Sequence, residues 1–211
     1  DLIDAARAAG VPSIGGIESA ANAEFRFRGH ADDPLAPAPD LLLLTDDMAR
    51  RNFAALGFAE ERIFVCGHPY YDSVRETGSV MAMEGRDAMR SRLFPDARAR
   101  PIIVFLGEIS GGLDPAQFSR SADYTLAGRG QSTGRTQIVI EEFLDAVAGM
   151  EERPYLVLRP HPKNTDAELG PFRADFDSVS RDEASLETVY IADLVVGMST
   201  SLLVEAALLR R

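Results

Sequence analysis

Apolar positions along this chain fall into two patterns: short continuous runs of strand length, and stripes at helical spacing. Leu2–Ala9 reads as a helix closed by Gly10, and Val11–Ile17 as a short strand. Pro34, Pro37 and Pro39 mark residues 31–40 as a loop. Asp40–Leu44 is an unbroken apolar run, the pattern of a strand buried on both faces. Asp46–Leu56 follows as a helix, with Thr45 or Asp46 as its cap and Gly57 past its end. Arg62–Cys66 reads as a second buried strand. Beyond it the pattern predicts helix Arg86–Leu93, strand Pro101–Leu106, helix Thr136–Met150 and strand Pro154–Arg159. A weaker strand at Asp177–Ser180, helix Ala184–Ile191, strand Asp193–Val196 and a last helix from Thr200 complete the series.

Strands separated by helices imply parallel pairing and an α/β architecture of doubly wound parallel sheets. Gly67–Gly85 interrupts the rhythm, with glycine, serine and methionine and no clear strand. A domain boundary is expected near residues 75–85, giving domains 1–78 and 79–211. Residue 1 is Asp, and the helical pattern of residues 201–211 meets no glycine stop. The chain therefore reads as an interior piece of a longer protein, truncated at both ends.

Charge narrows the function. The 211 residues carry 22 Lys and Arg against 33 Asp and Glu, a formal net charge of −11. Nucleic acids and anionic membranes attract basic surfaces, so nucleic acid is excluded as a partner. No apolar run approaches the ~18–20 residues of a membrane span. The single cysteine, Cys66, excludes an internal disulfide and suits a reducing, cytoplasmic compartment; peripheral attachment at the inner face of a membrane stays open. Its place after Ile63-Phe64-Val65 reads as buried strand rather than reactive thiol.

Open α/β sheets bind ligands at the carboxyl ends of their strands, where a loop meets a helix N-terminus. Four such junctions carry candidate chemistry. In Val196-Gly197-Met198-Ser199-Thr200-Ser201 a strand ends at glycine and a helix begins with three hydroxyls. Plain N-capping needs one; three suit a phosphate or diphosphate, and Glu205 one turn on could accept the hydroxyls of a ribose. Arg159-Pro160-His161-Pro162-Lys163 ends another strand, with His161 held extended between prolines. Arg159, His161 and Lys163 alternate there in a strongly acidic protein, which points to anion binding or proton transfer. In Gly67-His68-Pro69-Tyr70-Tyr71-Asp72 a strand breaks into a rigid turn; Asp72 either caps a helix or binds. The fourth junction is the long loop Glu108–Gln131, which opens Gly107-Glu108-Ile109-Ser110-Gly111-Gly112. Long loops in compact domains are commonly functional. Its end, Gly128–Thr136, only superficially resembles a phosphate-cradling P-loop: five residues separate the outer glycines, and Arg135 stands where lysine belongs.

Other chemistries find less support. The acidic pair Asp175 and Asp177 lies in a polar surface stretch, and His30, His68 and His161 show no ligand spacing, so no metal site is expected. The nucleophile-elbow spacing Gly-x-Ser-x-Gly fails at Ser201.

Arg159–Pro162 after one strand, and Asp193–Ser201 leading into a Leu-Leu-x-Glu-Ala helix, resemble the C-terminal half of GT-B-fold glycosyltransferases. The CDP-glycerol glycerophosphotransferases and bacterial polysialyltransferases are nearest in pattern, with a His-Pro motif and a Ser/Thr motif around the donor phosphates. Non-hydrolysing UDP-N-acetylglucosamine 2-epimerases are also similar: their His-Pro turn matches His161-Pro162 and their Gly-Asn-x-x-x-Asp hinge resembles Gly67–Asp72, while their Ser-Gly-Gly-x-x-Glu-Glu motif is degraded here. The resemblance covers most of residues 40–75 and 150–211.

It implies a Rossmann-like GT-B fold with an acceptor-side domain followed by a nucleotide-donor domain. His161, Ser199, Thr200 and Ser201 would contact the donor phosphates, with Arg159 and Lys163 beside them. Glu205 would hold the ribose, and the turn carrying Gly107, Glu108 and Gly111 would lie against the diphosphate. Gly67, His68 and Asp72 would form the hinge and cleft. Catalytic roles fall to His161 and, for the acceptor base, Glu18. No cofactor is implied, since the nucleotide-activated sugar or polyol is itself the substrate, and no metal is needed where helix N-termini and basic side chains stabilise the leaving diphosphate. The acceptor would be a carbohydrate or lipid-linked molecule of bacterial surface-polysaccharide assembly. Sugar-nucleotide 2-epimerase and non-catalytic nucleotide-binding module are the alternatives.

Overall fold

A computed structural model gives the architecture and describes residues 2–20, 22–109, 126–181 and 184–210. The chain divides into two compact units, residues 1–72 and 73–211.

In the first unit, α1 (Leu2–Ala8), β1 (Ile14–Ile17), α2 (Ala23–Arg26), β2 (Leu41–Leu44), α3 (Asp47–Ala55) and β3 (Ile63–Val65) follow in order. The three strands form a parallel sheet in the order β1-β2-β3. Asp46, one of the two cap candidates in the sequence, caps α3 by accepting from the Ala49 N–H at 2.8 Å. Alternation along the strands sorts side chains by face. Ile17, Leu42, Leu44 and Ile63 face α3 and pack on Ala49 and Phe53. The other face carries Ile14, Leu43 and Phe64, all exposed.

Two expectations are corrected here. The Asp40–Leu44 run is buried on one face only: Leu42 and Leu44 are fully buried, whereas Leu43 is 38% exposed. Cys66 is exposed and lies just past β3, a strand at the edge of the sheet, although its N–H still bonds to the Leu44 carbonyl at 2.9 Å. Periodicity reports apolarity and not the presence of a covering layer, so neither difference was written in the pattern.

Helix α4 (Pro69–Glu84) fills the stretch that broke the predicted rhythm and runs across the division between the units. The second unit continues with α5 (Arg86–Leu93), β4 (Ile102–Leu106), α6 (Arg135–Ala148), β5 (Tyr155–Arg159), α7 (Asp166–Leu169), β6 (Ser178–Val179), α8 (Ser185–Ile191), β7 (Leu194–Val196) and α9 (Ser201–Leu208). Its four strands are parallel and ordered β6-β5-β4-β7. Strand β4 is buried throughout, with Ile102, Val104 and Leu106 on one face and Ile103 and Phe105 on the other. The first face packs on α4, α5, α8 and α9 through Val74, Met81, Met89, Val189, Ile191 and Ala206. Ile140, Leu144 and Val147 of α6, with Leu169, Phe172 and Phe176, cover the second. The chain leaves β4 toward β5 on one side and later returns as β7 on the other, so the order reverses at β4. In open parallel sheets such a reversal opens a crevice at the carboxyl ends of the central strands.

Candidate functional site

The carboxyl end of β4 lies between those of β5 and β7. Gly107 follows β4; its N–H donates to the Arg159 carbonyl at 2.8 Å, which keeps β4 and β5 in register to their last residues. A side chain at Gly107 would meet Asn164 Oδ1 at 2.8 Å and Pro160 Cα at 3.2 Å, so only glycine fits. Glu108 comes next and is half-buried. Its backbone carbonyl accepts from Asn164 Nδ2 at 2.8 Å and from Thr136 Oγ1, at the start of α6, at 2.7 Å.

The Glu108 side chain reaches the other way, to the end of β7. Its Oε1 accepts from the backbone N–H groups of Met198 at 3.0 Å, Ser199 at 2.6 Å and Thr200 at 2.9 Å. Ser199 Oγ donates to Oε2 at 2.8 Å. Three convergent peptide N–H groups and a hydroxyl form an anion-binding nest beside the N-terminus of α9. Gly197 permits the turn: a Cβ there would press on Leu106 and Leu203.

The three hydroxyls singled out in the sequence have different fates. Ser199 is exposed and bound to Glu108; Thr200 caps α9 by accepting from the Leu202 N–H at 3.3 Å; Ser201 is the exposed first residue of the helix. Glu205, one turn along, is buried at 6% exposure.

On the β5 side, His161 lies in a turn held by Asn164. Asn164 is buried; its Oδ1 accepts from the His161 N–H at 2.7 Å, and its Nδ2 donates to Glu168 at 2.6 Å as well as to Glu108. The Lys163 N–H donates to His161 Nδ1 at 3.1 Å. With Nδ1 accepting, the neutral imidazole carries its proton on Nε2 and is a donor there, a form suited to contacting an anion rather than to taking a proton. Arg159 points along the sheet, donating to Ser180 Oγ at 2.8 Å, and Lys163 is exposed. Strands β5 and β7 flank β4, so the His161 turn and the Ser199 nest leave the sheet about 10 Å apart, two strand spacings, with Gly107 and Glu108 between them. Gly111 lies outside the described residues, as does most of its loop.

Asn164 was missed as a site residue. Its signal was its place two residues after His161-Pro162, where an Asx side chain can close a turn. The P-loop-like stretch is turned inward on its own helix. The Gly128 N–H donates to Glu142 at 2.7 Å, the Arg129 N–H to Glu141 at 2.6 Å, and the Arg129 guanidinium pairs with Asp145. Those amides are spent on carboxylates of α6.

The first unit has its own concavity at the carboxyl ends of its strands, of about 210 Å³. Gly16, Glu18, Thr45, Gly67 and His68 are among its lining residues, so Glu18 and His68 share one pocket. Glu18 is held ionised: a hydrogen bond from its own backbone N–H, and then the Arg26 guanidinium at 2.6 Å, lower its pKa. That makes it a weaker proton acceptor. The His68 ring stacks on Tyr71, with centroids 4.1 Å apart. Asp72, the last residue of this unit, lies in the first turn of α4. Among the described residues no three His, Cys, Asp or Glu side chains gather as a metal site, and no helix is long and apolar enough to cross a membrane.

No protein-family model matches the chain, and no curated protein matches it in sequence. In fold it is similar to Anabaena Alr3699/HepE, solved in complex with UDP-glucose. The TM-score is 0.55 at 12% identity, over 98% of this chain and 54% of that one. At that identity the likeness is one of fold: an α/β protein with parallel sheets. The chain spans about half the length of that neighbour.

Proposed function

We propose that this chain is the nucleotide-binding part of a GT-B-type transferase that takes a nucleotide-activated sugar or polyol phosphate, without a bound metal, in bacterial surface-polysaccharide assembly. One observation carries the reading: an anion nest at the switch point of the second sheet, beside a hydroxyl-capped helix. The complex of the structural neighbour with UDP-glucose supports a nucleotide-linked donor.

In this reading the diphosphate lies at the ends of β4 and β7. The Ser199 hydroxyl and the peptide N–H groups of residues 198–200 take its oxygens, and the α9 dipole favours the charge that grows as the donor bond breaks. His161 donates from Nε2, Lys163 adds positive potential, and Glu205 holds the ribose. The pocket of the first unit receives the acceptor, with Glu18 or His68 nearest its hydroxyl.

Calorimetric titration with UDP-, CDP- and CMP-linked donors tests this. Binding of one donor class that Ser199→Ala and His161→Ala each weaken about 5–30-fold is the expected result, a loss of about 1–2 kcal/mol per charge-assisted hydrogen bond. Binding unchanged in both variants would defeat the assignment. A donor whose sugar C2 takes up solvent deuterium without any acceptor would identify an epimerase instead.

A further inference from the structure

The nest that should take the donor's phosphate is already filled by a group of the same chain. Glu108 places a carboxylate on all three N–H groups and on the Ser199 hydroxyl, four contacts between 2.6 and 3.0 Å. Among the described residues it has no ion pair, and three peptide N–H groups and one hydroxyl donate to its carboxylate. A phosphoryl group cannot share those N–H groups with the carboxylate, and a phosphate seated beside it would meet a like charge. The Glu108 main chain, in contrast, is fixed by Asn164 and Thr136 through its carbonyl, and Gly107 before it by Arg159. Only the side chain has to rotate for the nest to open.

We propose that Glu108 is a built-in competitor: its carboxylate occupies the nest and swings out when a nucleotide diphosphate enters. The inference rests on the donor reading above and adds its regulation. A resident anion keeps the three peptide N–H groups hydrogen-bonded. It also discriminates by charge, because a singly charged ligand gains little over the carboxylate that it displaces, whereas a diphosphate brings more charge and more acceptor oxygens.

Glu108→Gln tests this, since the amide oxygen can still accept from the same N–H groups but carries no charge. UDP, CDP and inorganic pyrophosphate are titrated into the wild-type chain and the variant. Tighter binding to E108Q, by about tenfold or more, is expected from removing one full charge beside the phosphate. A readout on the wild-type chain guards against a variant that does not fold: the amide resonances of Met198, Ser199 and Thr200 should all shift together as UDP saturates. UDP binding that E108Q leaves equal or weakens, or that leaves those resonances unmoved, overturns the competitor and identifies Glu108 as a permanent clamp. Absence of any nucleotide binding in both proteins instead overturns the donor reading, and the competitor with it.

Discussion

Gly107 leaves β4 through a gap too small for a methyl group, with Asn164, Pro160 and Leu169 on its sides. Gly107→Ala must therefore push the Asn164 turn away from the sheet. The cost should be about 1–3 kcal/mol, the usual range for overpacking, read as a lower urea midpoint at unchanged slope. Stability equal to wild type would mean that the turn yields freely and does not hold His161. At this scale residue types were legible and partnerships were not. Ser199, His161 and Glu108 each stood out as strand-end polar residues, but the bond between Glu108 and Ser199 joins positions 91 apart in sequence. Nothing in local spacing reports such a contact. Asn164 is legible locally as a turn residue, but its bond to Glu108, which joins the β5 turn to the end of β4, is not.

Among the elements, helix α4 is read only in part: a helix start after the Gly67-His68-Pro69 turn is expected, but not its run to Glu84. Gly78 lies inside the helix at a point of close approach: a Cβ there would meet Leu209 Cδ2 at 2.6 Å. The long apolar runs of β4 and β5, by contrast, were legible because both faces of those strands are covered. The opposite edge of the second sheet is held by charge. Asp193, just before β7, takes hydrogen bonds from Arg86 and Arg90 of α5, both at 2.7 Å, and from the Ile102 N–H at the start of β4, at 2.8 Å. Burial alone would raise its pKa; the Arg86, Ile102 and Arg90 hydrogen bonds outweigh that and hold it at about 2, below the ordinary 3.8. A carboxyl whose folded pKa is depressed stabilises fully above its unfolded value and loses that contribution as pH falls through the folded one. The stability difference between wild type and Asp193→Asn should therefore be full above pH 5 and shrink from about pH 4 toward pH 2. Denaturant melts across that range will show it; a difference independent of pH would contradict the assignment.

For the whole molecule, the order β6-β5-β4-β7 matters more than any single residue, because it places the reversal at β4 and so fixes where a ligand crevice opens. The α/β class and the order of elements were readable from apolar periodicity. Strand neighbours were not, since parallel pairing depends on how the helices pack against the two faces. The similarity to Anabaena Alr3699/HepE, at 12% identity, is one of fold and bears on the α/β architecture alone. Co-crystallisation of the chain with a UDP- or CDP-linked donor puts the central claim to the most direct trial. Diphosphate density is expected at the carboxyl ends of β4 and β7, within hydrogen-bond reach of the Ser199 hydroxyl and the residue 198–200 N–H groups, with the Glu108 carboxylate turned away. A donor bound elsewhere, with Glu108 still seated on those groups, would contradict it.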